Sequence, residues 1–572
     1  MKTNQHTNLI KDVMHSPVVS VGVGNTIRKV ESIFTLHNMN TLLVLGKGEP
    51  VGLITRKIVE TAIHYNFEDD LVDDFMIRSF SVTKANELVS SVTPIIIEEK
   101  QELIPVVDRA NKLVGEVIPE DIFRVITANE PGKRNPILIQ DNANRKNIKR
   151  LLKERLGQEL LTLLERISKV ANKSGISVYM VGGFVRDLLL NIANKDIDIV
   201  VEGDGIEFAL LLADEFGGRV KSYKKFGTSV VILPDENRID VATARLEHYD
   251  HPGALPKIEQ SSIKSDLYRR DFTINSLAVN LNRGEAFYLV DFFNGERDLK
   301  NKEIHILHNL SFIEDPCRLF RLIRFEQRLG FKISKQTEVL MKGAIKKKMV
   351  DFLSGTRLLN EIILILKEKN PLNCILRMKT LALLPFISPQ IILSPTDITA
   401  LEKIERLVVW VETISLPEKP EIWYVSFLGI FYSLNENSFS HTIDRLQVSA
   451  RLKKSLKQDR ISCKEGLGYL ENDMDWKPEK IYDLFSKFSV EGIIYFLAKA
   501  STERANRYAR IYFTQYYSRA KLLLTGDDLL EMGMKPGPIF QSVFKALREA
   551  HIKGEGETRE EEVALGRKQF LQ

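Results

Sequence analysis

An apolar run about a third of the way along the chain, DIDIVV, carries two carboxylates, Asp196 and Asp198, two positions apart. In a strand, residues at that spacing point to the same face. Carboxylates held side by side repel and raise each other's pKa unless a cation lies between them. Divalent magnesium takes hard oxygen ligands of this kind together with substrate phosphates. An isolated Asp-x-Asp is ordinarily a strand with two solvated acids, so its surroundings decide its meaning. The preceding stretch, VYMVGGFVRDLLL, reads as a strand running into Gly182 and Gly183, then a helix bearing Arg186 and Asp187. Glycine in that turn lets backbone approach a ligand, and free N–H groups at a helix start suit phosphate. A Gly-Gly turn alone is common; strand, glycine turn, helix and acidic strand in succession confine this stretch to a mixed α/β unit.

With 572 residues the chain exceeds one core, and its size suggests three or four domains. The first ~130 residues form two similar halves, each a β-rich run, a helical run, two strands around a charged turn and a final helix. Residues 129–147 are rich in Asn, Pro, Gly and charge and read as a linker. From 148 to 299 strand-like and helical runs alternate, and from about 312 onward apolar residues recur at helical spacing. The expected architecture is multidomain α/β plus α. It comprises a repeat pair over 8–128, the linker, an α/β head over 148–299, a helical neck over 300–370 and a helical body and tail over 371–572. A net charge of +5 permits a local nucleic-acid face without arguing for one. Cys317, Cys374 and Cys463 lie too far apart for metal-ligand spacing or a disulfide framework, which points to a reducing cytoplasm. No apolar stretch reaches the roughly 18 residues of a membrane span, and MKTNQHTNLIKDVMH lacks a secretory apolar core.

The motif series Gly-Gly-x-x-Arg-Asp followed by Asp-x-Asp resembles the head of the polymerase-beta-type nucleotidyltransferases, class II branch. That branch contains tRNA CCA-adding enzymes and bacterial poly(A) polymerases. The resemblance is good over about residues 150–345 and looser beyond. It implies that Asp196 and Asp198 bind Mg2+, with a third carboxylate from a neighbouring strand. Asp240 in RIDVAT is the natural candidate, with a solvated strand face as the competing reading. In DLYRRDFTINSLAVNL the resemblance assigns Arg269, Arg270 and Asp271 to the nucleotide sugar and triphosphate, with Asn275 on the same side. Gly182, Gly183, Arg186 and Asp187 join them as nucleotide-binding residues. DFFNGERDL, from Asp291 to Gly295, reads as a structural turn. FIEDPCRLFRLIRF matches the family's Glu-Asp-x-x-Arg motif at Glu314, Asp315 and Arg318, which implies that Asp315 and Arg318 read the edge of the incoming base. Pro316 departs from the small residue common there, but proline is tolerated in a first helical turn. Arg318, Arg321, Arg324 and Arg328 recur at three and four residues, as a phosphate-contacting face or merely a solvated one.

The stretch between Asp240 and Arg269, rich in Pro, Gly and charge, reads as a mobile active-site loop. Its Tyr-x-x-Pro-x-x-Leu-Pro pattern, Tyr249 to Pro256, together with the N-terminal repeat, resembles a subgroup that includes A-adding enzymes. The repeat itself resembles a tandem CBS pair, which implies an adenine-nucleotide sensor or a homodimerising module. Each half holds half of the family's ribose signature: Thr55 but Ile58, and Asp121 but Ile118. Near the end, Gly526–Leu529 and Pro536–Pro538 mark a helix–turn–helix that either packs or meets an RNA backbone. The expected function is template-independent addition of AMP or CMP from ATP or CTP to a tRNA 3′ end. Poly(A) synthesis is the alternative, and a nucleotide-sensing regulator with a degenerate head is the rival of another class.

Overall fold

The computed structural model describes residues 9–37, 39–97, 101–122, 144–414, 416, 419–470, 476–517, 521–556 and 558–571. They fall into two compact units, Met1–Leu353 and Ser354–Gln572.

The first unit opens with the repeat. Strands β1 (Ser20–Gly22), β2 (Thr41–Gly46) and β3 (Glu49–Thr55) form one sheet, and β4 (Thr83–Lys84), β5 (Ile104–Val107) and β6 (Leu113–Val117) form its counterpart. In both, the first pairing is parallel and the second antiparallel, with one register irregularity in the second. The two halves bury a shared apolar face of Leu43, Leu53 and Leu103, edged by Ile77, Phe80 and Leu113. Neither half leaves its ribose signature idle. Thr55 Oγ1 caps helix Arg56–His64 by accepting from Ile58 N at 3.4 Å. Asp121 is buried, with His15 Nε2 2.8 Å from its Oδ2.

The head is an eight-stranded sheet in the order β10-β11-β12-β9-β8-β15-β16-β7. Its strands are β7 (Asn144–Asn147), β8 (Ser177–Val181), β9 (Ile197–Glu202), β10 (Arg219–Tyr223), β11 (Thr228–Ile232), β12 (Arg238–Thr243), β15 (Leu277–Asn280) and β16 (Tyr288–Asp291). Only β9 and β12 run parallel. One face carries Val181, Val200, Ala278 and Val290 under Ile263 and Leu267 of helix Ile263–Tyr268. The opposite face is covered by helices Gln158–Ser174 and Gly205–Phe216. Two departures from the sequence expectation arise here. Asn144–Asn147 is an edge strand, joined to its surroundings by Arg145–Glu285 and Lys146–Glu296 pairs, although the linker was expected to reach 147. Its four residues are all polar and exposed, as befits a protected edge, so no apolar alternation announces it. The rest of that linker, 129–143, lies outside the described residues. The expected loop after Asp240 is instead a hairpin of β13 (Arg245–His248) and β14 (Lys257–Gln260), followed by helix Ile263–Tyr268. Its Pro and Gly residues cluster in the connection between the strands, where they obscured the short runs on either side.

The neck helix Cys317–Leu329 buries Leu319, Phe320, Leu322 and Ile323. The repeat pair is clamped to this region. Asn309 Nδ2 donates to Phe75 O at 2.6 Å, Gln336 Oε1 accepts from Arg78 N at 3.2 Å, and Lys347 pairs with Asp70 and Asp74. The second unit is helical. Helix Ile422–Phe431 is apolar on every side and forms its centre rather than an amphipathic surface element. Near the end, Thr525 caps helix Gly526–Glu531, and Leu529, Met534, Val543 and Leu547 share a small core. Among the described residues no helix is long and apolar enough to cross a membrane.

Candidate active site

Asp198 and Asp240 are direct register partners across the parallel β9–β12 pair, so their side chains leave the sheet on one face. Asp196 does not lie in the strand, which begins at Ile197; it stands exposed at the strand's mouth, with its N–H donated to Asn194 Oδ1 at 2.8 Å. The three acids nevertheless share one field. Burial, then Asp240, push the Asp198 carboxyl up to about 6, against the pull of Arg270. Burial and Asp196 raise Asp240. Such mutual repulsion between hard oxygen donors is what a divalent cation relieves, so the donor set fits Mg2+. Among the described residues no three acidic, His or Cys side chains close into a cage that could hold an ion alone.

Gly182 faces these acids. Its φ of +73° favours glycine, and a Cβ there would lie 3.0 Å from Arg270 Nη1 and 3.6 Å from Asp198 Oδ2. A cation, a carboxylate and bare backbone therefore line one recess. Arg270 is aimed by Asp266, which lies fully buried: Arg270 Nη2 donates to its Oδ2 at 3.0 Å, while Arg269 Nη2 donates to its Oδ1 at 2.6 Å. Burial pushes Asp266 up, but Arg270 and Arg269 outweigh it and hold the carboxyl below its usual range. Arg269 also donates to Glu247 Oε1 at 2.8 Å, so its guanidinium is committed to the protein, whereas Arg270 Nε has no partner among the described residues.

Arg186 and Asp187 are buried beneath the recess rather than exposed in it. Arg186 Nη1 donates to Asn275 Oδ1 at 2.7 Å, and Asn275 Nδ2 donates to Asp271 Oδ1 at 2.9 Å. Asp187 accepts from Arg186 Nε at 2.8 Å and from Asn194 Nδ2 at 2.9 Å. With the Asn194–Asp196 bond, one polar chain runs from Asp271 to Asp196 and braces both. Asp271 Oδ2 faces Arg321 Nη1 at 3.9 Å. Gly295, whose added Cβ would fall 2.3 Å from Thr273 O, lets the Asp291 turn close against Asn275's segment. Asp291 there accepts from the N–H groups of Phe293, Gly295 and Glu296, the structural use expected of it.

The Glu314–Arg318 element adjoins this site. Asp315 Oδ1 accepts from Cys317 N at 3.0 Å and so caps the neck helix. Arg318, 3% exposed, donates to Ser311 Oγ at 2.5 Å and to Arg269 O at 2.6 Å, tying the neck helix to the Arg-Arg-Asp turn. Arg186, Arg324 and Arg328 gather around the Phe325 ring. The hairpin reaches the same place: Tyr249 is buried, donates to Glu247 Oε2 at 2.8 Å and feels the charges of Arg318 and Asp315. Asp266, Glu247, Asn194 and Ser311 escaped the sequence reading. Asp266 had a local signal, standing three and four residues before Arg269 and Arg270. Asn194 meets Asp196 two residues on, whereas Glu247 meets Arg269 across 22 residues and Ser311 meets Arg318 across a helix break.

The family profile described as the poly A polymerase head domain matches residues 178–305, and that of the CBS domain matches residues 10–65. An A-adding tRNA nucleotidyltransferase of Halalkalibacterium halodurans is 30% identical over 443 residues, 75% of this chain and 97% of the relative. The chain belongs to the tRNA nucleotidyltransferase family. An A-adding member from Geobacter sulfurreducens is 39% identical over 562 residues, 97% of this chain. The chain spans 64% of that relative's length. A Thermotoga maritima CCA-adding enzyme, solved in complex with tRNA-CCA, superposes with a TM-score of 0.56 at 33% identity, covering 75% of this chain and 98% of that one. Mixed-sheet head and helical body are thus the architecture of this family.

Proposed function

We propose that the chain transfers AMP from ATP to the 3′ end of a tRNA that already ends in CC, releasing pyrophosphate. The observation that carries the chemistry is the register pairing of Asp198 with Asp240 beside Gly182 and Arg270. The choice of AMP is supported by the A-adding relatives, matched over 97% of this chain in one case and over 97% of the relative in the other.

The terminal ribose oxygen attacks the α-phosphorus, one P–O bond forms, the α–β P–O bond breaks, and the hydroxyl proton leaves to solvent. Mg2+ held by Asp196 and Asp198, with Asp240 adjoining, would supply the positive charge that favours an ionised hydroxyl and offsets the phosphates. Arg270, aimed by Asp266, places a charge-assisted donor at the triphosphate. Asp271, braced through Asn275, offers an acceptor to a sugar hydroxyl. In this reading Asp315 and Arg318 recognise the base edge, and the neighbourhood of Tyr249 with both supports a contribution from the hairpin.

Three tRNA transcripts test the reading: one lacking CCA, one ending in C and one ending in CC, each offered ATP or CTP with Mg2+. Extension of only the CC-ending transcript, by ATP alone, is the expected result. Incorporation of CMP would replace it with full CCA addition, and long adenosine tracts on unrelated RNA would replace it with poly(A) synthesis.

A further inference from the structure

Helix Arg56–His64 of the first CBS module lies against the head, and Lys57 and His64, two helical turns apart, share the face that meets it. His64 Nε2 lies 3.4 Å from Tyr249 O on the hairpin. Lys57 Nζ stands 4.5 Å over the Tyr268 ring, a cation–π arrangement. Tyr268 in turn stacks on His308, with ring centroids 5.2 Å apart. His308 Nε2 lies 3.3 Å from Glu314 Oε2, and the next residue is Asp315 of the base reader. A continuous line of contacts therefore runs from the CBS helix to the element that faces the base. Charge runs along it as well. Glu314 is part-buried and pushed up to about 7 by desolvation, while Arg318 and Lys57 pull it back down. His308 is held well below its usual value by burial, Arg318 and Lys57.

We propose that Lys57 is a positioning residue for nucleotide selection, acting through Tyr268, His308 and Glu314 to hold Asp315 and Arg318 in their reading geometry. The first CBS module is then a working part of the nucleotide site as well as an attached domain. The inference rests on the adenylyl-transfer reading and deepens it. Lys57 itself is exposed, so its replacement leaves the core intact.

The test uses the full chain, a CC-ending tRNA and ATP. Lys57→Met should raise KM for ATP about three- to tenfold, the scale of one lost cation–π contact with its charge. Lys57→Glu should raise it further, and Lys57→Arg should restore it. The kcat and the KM for tRNA should stay near wild type. In a Glu314→Gln background, Lys57→Met should lose its effect, because the charge it balances is gone. Unchanged KM for ATP in Lys57→Met, with or without a lower melting temperature, would overturn the proposal and leave docking alone. So would an undiminished effect in the Glu314→Gln background. A wild-type chain that adds no AMP would bring down the adenylyl-transfer reading instead. Lys57 is then decided on ATP binding, where equal Kd values for wild type and Lys57→Met refute it.

Discussion

The CBS pair and the head treat their acidic residues in opposite ways. In the CBS pair the acid at the family's ribose position, Asp121, is buried against His15 and also lies 3.5 Å from Ile118 N. In the head, Asp198 and Asp240 sit side by side on adjacent strands, and burial with a neighbouring acid raises both, Asp240 acting on Asp198 and Asp196 on Asp240, against the partial pull of Arg270 and Arg238. Asp266, a few residues from the recess, shows the satisfied alternative within the head itself, saturated by two arginines. A carboxylate whose partners are all protein is holding the fold. One left in mutual repulsion at the end of a sheet is reserved for a partner that arrives with substrate. Local instability thus marks the site more clearly than any single residue type does.

The largest effect that could break this contrast is catalytic. Asp198→Ala should abolish AMP incorporation, a loss of at least ~10³-fold on the scale of removing a principal transition-state group, with the fold retained by circular dichroism. A variant that still extends tRNA at the wild-type rate removes Asp198 from the metal site. Next comes Asp266→Ala, which strands two arginine charges in the interior. A destabilisation of roughly 3–5 kcal/mol in urea unfolding is expected, together with loss of activity through Arg270. Unchanged stability there would erase the distinction between satisfied and unsatisfied acids.

The pH dependence sharpens the same point. Asp198 is held at about 6 in the fold and near ~3.9 in an unfolded chain. Between those values the folded protein keeps a proton that the unfolded chain has released. The associated stability is present below pH ~4 and lost as pH rises through about 6, an effect of roughly 3 kcal/mol in metal-free protein. Melting in EDTA from pH 4 to 7.5 should therefore show Asp198→Asn gaining on wild type across that window. A constant difference would mean that Asp198 is already compensated. The smallest effect is expected at Asp121→Asn, which weakens the contact with half-exposed His15. It should cost about 1 kcal/mol and leave AMP incorporation intact.

Much of the head was legible because its signals are local. The acidic motif, the glycine turn before it and the order of later motifs all sit within short windows, although the strand begins at Ile197 and leaves Asp196 at its mouth. The repeat was legible for a similar reason, since two halves of one pattern produced two sheets of the same pairing. Three features were not. β7 is wholly polar, the hairpin after Asp240 was masked by its Pro- and Gly-rich connection, and helix Ile422–Phe431 lacks an amphipathic stripe because it is buried all round. The bracing of the site was equally hidden. Arg186 and Asn275 meet across 89 residues, and Arg318 reaches Arg269 across 49.

The amino-acid sequence by itself determined the chemical groups and their local facing, because a strand's pleat and a helix's pitch act within a few residues. Only the tertiary structure decided how those groups behave. Parallel register brought Asp240 beside Asp198, and burial turned that closeness into a raised pKa. Docking of the CBS helix placed Lys57 over Tyr268, in line with His308 and Glu314. Electrostatic environment depends on distance and solvent exclusion, and both are set by contacts far apart along the chain.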